Sequence, residues 1–200
     1  ADEGLNSVLE RVRGYREDRN REMVERLADA TGLDVTYESL KDTVDGSLGR
    51  PHLADLLIDE GFVDTVSEAF DEYLAEGGDV YVPMGRAPYD YVIRAVHGAG
   101  GVTSLAHPGR IRSDRVPDMV EELADAGLDA LEVWYPYGEI RSEDYADIGV
   151  EEAEALAEEH GLLKTGGSDC HGPDSGKFRI GEVRVSEGTF TELESLGTAT

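Results

Sequence analysis

From residue 86 onward, stretches of helical periodicity alternate with short apolar runs, and most of the helical stretches stop on glycine. A helix over about 87–98 ends in Gly98, Gly100 and Gly101, and the apolar run Val102 to Ala106 comes next. A second helix, about 114–126, stops at Gly127 and leads into a strand at Ala130 to Trp134. A third, 149–159, stops at His160 and Gly161 before Leu162 to Thr165, with Gly181 to Val185 as an expected fourth strand. Strands this short, separated by single helices, cannot pair as hairpins. They fit αβ units around a parallel sheet.

The first 85 residues have a different rhythm. Leu5, Val8, Leu9 and Val12 recur at i, i+3, i+4, i+7, and Met23, Val24 and Leu27 continue the pattern. One long helix is expected over about 4–30, ending near Gly32; Gly14 leaves two shorter helices as the alternative. Short helices are expected at 37–43, 51–60 and 64–76, with a turn in TVDGSLGRPH and a break at Gly61. Residues 1–85 therefore read as a helical insert region, poor in apolar residues of its own, and 86–200 as an α/β region.

Composition excludes several functions. Asp and Glu number 44 against 18 Lys and Arg, a net charge of -26 that repels a nucleic-acid backbone, so duplex DNA is not an expected partner. Only Lys41, Lys164 and Lys177 are lysines. Excess acid with scarce lysine resembles the cytoplasmic proteins of salt-loving archaea, in which salt screens self-repulsion. The single Cys170 forms no intrachain disulfide and suits a reducing compartment. No membrane-spanning run and no secretory signal is visible, so a cytoplasmic location is expected. Dinucleotide-binding, Walker, GxSxG and cysteine-zinc patterns are absent.

The unusual polar residues fall at the strand ends, where ligands gather in parallel α/β sheets. His107 comes after one apolar run in VTSLAHPG; Asp169 and His171 come after another in LLKTGGSDCHG. Two residues apart on an extended segment, a carboxylate and an imidazole leave the same face and can share a divalent ion. A backbone-bonded loop histidine and a turn or cap aspartate are the alternatives. Glu132, inside LEVW, is costly to bury without a partner and reads as a support for the site or a salt-bridge residue. Arg50 and His52 flank Pro51 at an expected helix start, where a phosphate could be held. Lys164 and Arg110 are candidates for an anionic substrate, and Arg179 is a more remote one. His97 and His160 read as surface, packing or cap residues, and Cys170 as core.

GGVTSLAHPG, LDALEVW and GLLKTGGSDCHG occur in this order and resemble the second half of PHP (polymerase and histidinol phosphatase) phosphoesterases. GRPHLADLLIDEGFVDTVSEAFDEYLAEGGDVYVP resembles the helical insert of the subgroup related to nucleoside 3',5'-bisphosphate phosphatases and 5'-to-3' exoribonucleases. The resemblance covers residues 5–185 and implies a distorted (β/α)7-type barrel with its N-terminal strands missing and a helical insert. It implies a divalent metal centre, manganese first, with magnesium, zinc or iron as alternatives. His107, Asp169 and His171 would be its ligands and catalytic groups, Glu132 a support, and His52 with Arg50 the holders of the substrate phosphate. The implied activity is hydrolysis of nucleotide phosphate monoesters or short RNA ends. A non-catalytic binding module and a histidinol-phosphate phosphatase are the alternatives. The family's opening His-x-His motif and the ligands after it have no counterpart here. The activity is therefore expected of a longer parent chain, with the missing N-terminal segment or a homo-oligomer as partner.

Overall fold

A computed structural model describes residues 2–44, 46–139, 146–170 and 180–197. Its contacts divide the chain into two compact units, Leu9–Ala87 and, flanking it in sequence, Ala1–Val8 with Pro88–Thr200. Among the described residues, no helix is long and apolar enough to cross a membrane.

The helical unit holds most of α1 (Glu3–Thr31), then α2 (Tyr37–Lys41), α3 (Arg50–Asp59), α4 (Val66–Ala69) and a π-turn, Phe70–Leu74. α1 is a single helix, so Gly14 is carried within it rather than ending it. Met23, Val24 and Leu27 of α1 pack with Leu53, Ala54 and Leu57 of α3 and with Leu74 and Val80, all essentially inaccessible to water. Few as its apolar residues are, this region forms a core cluster of its own: buried positions on several short elements, sparse in any one of them, join together. Asn20 is buried among them, and its amide donates to the Leu48 carbonyl at 2.5 Å. Helix α3 starts where expected because Pro51 occupies its first turn and the Gly49 N–H donates to His52 Nδ1 at 3.1 Å.

The α/β unit runs α5 (Tyr89–Gly98), β1 (Ser104–Leu105), α6 (Val116–Asp125), β2 (Ala130–Trp134), α7 (Val150–Glu159), β3 (Leu163–Gly166) and α8 (Glu187–Gly197). The three strands form one parallel sheet in the order β1-β2-β3. Leu131 and Val133 of β2 are fully buried with Val116 and Val120 of α6 and Ala153 and Ala157 of α7. The fourth strand expected at Gly181 to Val185 does not form. Gly181 takes φ 86°, outside the extended region, and Arg184 Nε turns back to the Gly181 carbonyl. α8 comes next instead, with Ser186 Oγ accepting from the Thr189 N–H at 3.1 Å, a cap that apolar spacing does not reveal.

Asp129, just before β2, ties three segments together. Its Oδ2 accepts from the Thr103 N–H and hydroxyl, each at 2.7 Å, and lies 2.8 Å from His97 Nε2 on α5. Burial alone would raise its pKa, but the bonds from His97 and Thr103 outweigh burial and leave it below the ordinary 3.8. A depressed carboxylate stabilises the fold fully above its unfolded pKa and loses that contribution as pH falls through the folded one. Asp129→Asn is therefore expected to lower the urea midpoint at neutral pH, with the difference from the native chain shrinking well below pH 3.8. A difference independent of pH would contradict this account.

Candidate metal centre

The site is built from the loops that leave the C-terminal ends of the three strands, together with side chains of β2. After β1 the chain turns at His107, whose φ of 32° and ψ of 66° are left-handed. Such a backbone is uncommon for a side-chain-bearing residue, though histidine and aspartate tolerate it better than most. The His107 N–H, which no regular element satisfies, donates to Glu132 Oε2 on β2 at 2.7 Å. Position 109 is glycine because nothing larger fits: a Cβ there would stand 2.1 Å from the Ile148 carbonyl oxygen and 2.7 Å from the Tyr137 ring.

β2 contributes more than Glu132. Immediately after the strand, Tyr135 is buried, its ring centroid 5.3 Å from that of His107. Its hydroxyl donates to Asp169 Oδ2 at 3.1 Å. Tyr137 packs against Tyr135 in a tilted arrangement, centroids 5.0 Å apart and planes at 53°, and donates to the Glu132 carbonyl at 3.3 Å. Asp169, beyond β3, has φ 52°, the second side-chain-bearing residue in the left-handed region among those described. The register between β2 and β3 is irregular between Glu132 and Trp134. Such a bulge re-aims side chains at a sheet rim. Gly167 leaves room for the Glu132 carboxylate, 3.4 Å from where a Cβ would be.

The sheet thus brings together His107, Glu132 and Asp169, all candidates from the sequence. It adds Tyr135 and Tyr137, which sequence reasoning missed. The signal for them was the aromatic run WYPY at the end of a strand that already carried a buried acid. His171 and Arg179 lie outside the described residues. Arg50 and His52 belong to the helical unit. There His52 Nδ1 caps α3, and the Arg50 guanidinium lies 5.3 Å over the Phe70 ring and reaches the Leu74 carbonyl at 3.5 Å. Lys164 is not an anion binder as placed. Its ammonium bridges Glu154 and Glu158, 2.7 Å from each. Arg110 lies 6.0 Å over the Tyr135 ring, next to the site. His97 pairs with Asp129, and Cys170, expected in the core, is only half-buried.

Electrostatics separate the acidic groups. Burial raises the Glu132 pKa and the Asp169 charge adds to the rise, while the His107 N–H pulls it partly back. Burial and the bond to Asp169 raise the Tyr135 phenol, and burial raises Tyr137. Both tyrosines therefore stay neutral hydrogen-bond donors.

Two donors fit a metal ion. His107 Nδ1 is buried and has no hydrogen-bond partner among the described residues. A buried polar atom with no partner costs stability unless something else satisfies it, and an imidazole nitrogen is a good ligand to a divalent ion. Asp169 supplies a carboxylate oriented by a phenol, in the manner of the outer hydrogen bonds that orient ligating carboxylates. Among the described residues, no group of three or more His, Cys, Asp or Glu is close enough to enclose an ion.

Several known proteins resemble this chain in sequence, and two solved structures resemble it in fold. A 3',5'-nucleoside bisphosphate phosphatase from Chromobacterium violaceum is 29% identical over 98% of this chain and 68% of its own length. The 5'-3' exoribonuclease Rnm of Salmonella typhimurium is 31% identical over 79% of this chain, which spans only 52% of that relative. A structure assigned as a metal-dependent phosphoesterase from Bifidobacterium adolescentis superposes with a TM-score of 0.77. It is 31% identical and is matched over 99% of this chain and 68% of its own. A structure of an amidohydrolase from Chromobacterium violaceum, with bound sulfate and no metal, gives a TM-score of 0.74 at 27% identity. No family model matches the chain.

Glu132→Leu should leave the His107 N–H unpaired and cost about 1–3 kcal/mol in denaturant unfolding, whereas Glu132→Gln keeps an acceptor and should cost less. Equal losses for the two variants would show that the bond does not hold the His107 turn.

Proposed function

We propose, since the chain belongs to the metal-dependent phosphoesterase family, that it carries part of a PHP-type centre hydrolysing nucleotide phosphate monoesters or short RNA ends. The observation that supports this most is the partnerless, buried Nδ1 of His107 beside a half-buried glutamate and a phenol-oriented aspartate. The names of the relatives support the substrate class: one acts on nucleoside bisphosphates and others are exoribonucleases.

His107 and Asp169 would hold a divalent ion, with His171 as a third ligand by sequence position, and manganese is the metal proposed. Bound there, the ion would activate water and neutralise phosphoryl oxygens. The chain's own residues set the stage. Glu132 fixes the His107 turn through the backbone, so the imidazole is aimed without rotating the loop. Tyr135 fixes the Asp169 carboxylate and closes one side of His107 with its ring. Arg110, over the Tyr135 ring, is the cation proposed to draw a phosphate toward the site. Arg50 and His52 are proposed phosphate holders on the resemblance alone. Three parallel strands support the α/β part of the reading, and the closed, distorted barrel is proposed from the family. We assign residues 1–85 to its helical insert and 86–200 to its C-terminal part. The excess of acid over three lysines supports a salt-adapted, cytoplasmic protein.

Phosphate release by the longer parent chain from a nucleoside 3',5'-bisphosphate and from a short 5'-phosphorylated RNA, in concentrated KCl with Mn²⁺, tests the activity. Release is expected to stop with chelator. Tyr135→Phe keeps the ring but removes the bond to Asp169, and should weaken Mn²⁺ binding or activity roughly 10–100-fold. His107→Ala should cost more than that. Retention of Mn²⁺ unchanged in His107→Ala, measured by elemental analysis, would remove His107 from the centre.

A further inference from the structure

Helix α1 carries six of the chain's eighteen lysine and arginine residues: Arg11, Arg13, Arg16, Arg19, Arg21 and Arg26. Several have clear structural duties. Arg19 donates to the Val82 carbonyl at 2.7 Å, Arg21 pairs with Glu38 and Glu17, and Arg26 binds Glu22 and the Tyr81 carbonyl. Arg13 and Arg16 have neither an ion pair nor a hydrogen bond among the described residues. Arg86 likewise has no partner among the described residues; what sets Arg13 and Arg16 apart is that they stand one turn apart on one helix and line the same cavity.

They line the mouth of a cavity of about 250 Å³ within the helical unit. Arg13, Arg16, Glu17 and Asn20 fall at i, i+3, i+4 and i+7, so all four face it from one side of α1. Further along α1 the same helix face becomes core, at Val24 and Leu27. Buried Leu48 and Tyr37 also line it, and the Asn20 amide is tied to the Leu48 carbonyl. Lys41 and the Ser47 hydroxyl complete the polar lining. Glu17, the one carboxylate among the described lining residues, is already shared by Arg21 at 3.6 Å and Lys41 at 3.8 Å. The Tyr37 ring is occupied by the Arg21 guanidinium at 4.5 Å and the Lys41 ammonium at 5.5 Å, which disfavours base stacking there. The remaining open space is a cationic, hydroxyl-lined recess just below the size that takes drug-like molecules, about 300–1,000 Å³. That chemistry fits a phosphate group with its attached sugar.

We infer that the Arg13–Arg16 recess of the helical unit binds a backbone phosphate of a single-stranded RNA segment, separately from the candidate metal centre. The inference deepens the proposed function by adding a subsite for the strand rather than for the reacting phosphate, and it rests on that reading for the identity of the strand. A single strand can lay one phosphate into a recess. A duplex would bring its whole charge against the acidic remainder of the surface.

The test is equilibrium binding of a fluorescent single-stranded oligoribonucleotide to the full chain, in chelator so that no hydrolysis occurs. The native protein is compared with Arg13→Gln/Arg16→Gln and Arg13→Lys/Arg16→Lys. Glutamine keeps helix propensity at these exposed positions, and the unfolding midpoint checks that the fold is retained. Binding by the glutamine variant should weaken roughly two- to thirtyfold, the range for two exposed charge interactions. The weakening should be uniform across sequences, and the slope of log affinity against log salt should fall by about 0.7 for each phosphate no longer neutralised. The lysine variant should recover most of the affinity. Hydrolysis of a nucleoside 3',5'-bisphosphate should be unchanged in both variants. No binding by the native protein, or equal affinity and salt slope in the glutamine variant, overturns the inference. Absence of any phosphatase activity in the longer parent chain would instead sink the proposed function and leave the binding comparison readable.

Discussion

The middle strand, Ala130–Trp134, is hydrogen-bonded along both edges, and that double pairing positions every group at the candidate centre. Parallel ladders align the ends of neighbouring strands, so the loops after β1 and β3 must emerge on either side of the end of β2. Leu131 and Val133 are held in the core by α6 and α7. Period two then forces Glu132 toward the opposite side, half-buried, where the only economical use for its carboxylate is to satisfy a nearby donor. His107 provides one through a backbone N–H that its own turn leaves without a partner. Without the buried pair Leu131 and Val133 the strand would have no fixed register. A slip by one residue would turn Glu132 into the core.

Much of this is legible in the sequence because it depends on periodicity. The strand at Ala130–Trp134 and the helices at 87–98, 114–126 and 149–159 appear within a few residues of where glycine stops and apolar spacing put them. The failures have physical causes. Gly181 to Val185 alternates valine with charged residues as a strand would, but an edge position needs a neighbour to pair with, which no local pattern reports, and Gly181 at its start takes a left-handed φ. Lys164 sits in a strand near the site, which in sequence makes it a candidate for an anion. Its partners, Glu154 and Glu158, lie one helix away and cannot be seen without the packing of α7 on β3. Tyr135 looks in sequence like any aromatic. Its role depends on the position of Asp169, 34 residues later, and such a hydroxyl-to-carboxylate bond has no sequence signature.

Backbone conformation singles out the same two residues as the chemistry does. His107 and Asp169 are the positive-φ residues other than glycine among those described, and each stands in a loop that leaves the end of a strand. Such a backbone costs roughly 1–3 kcal/mol at a side-chain-bearing position when it is strained, so it persists where its surroundings hold it. Here each has its own clamp: the Glu132 carboxylate on the backbone of the first, and the Tyr135 hydroxyl on the side chain of the second.

Those clamps also impose an electrostatic condition. Holding Glu132 half-buried near Asp169 raises its pKa, because burial disfavours its charge and the second carboxylate repels it. The same geometry leaves a buried imidazole nitrogen without a proton donor or acceptor among the described residues. Each of these features alone is a local cost. A divalent cation between His107 and Asp169 would offset them together: it would favour the ionised carboxylates, use the lone pair of the imidazole, and keep Tyr135 as a neutral donor to the Asp169 oxygen. A fold that merely capped its strand ends would be served by glycine or asparagine at positions 107 and 169, with no buried nitrogen to satisfy and no second acid nearby. The combination of strain, a partnerless imidazole nitrogen and paired acids at one rim therefore argues for a cation site more strongly than any one of the residues does.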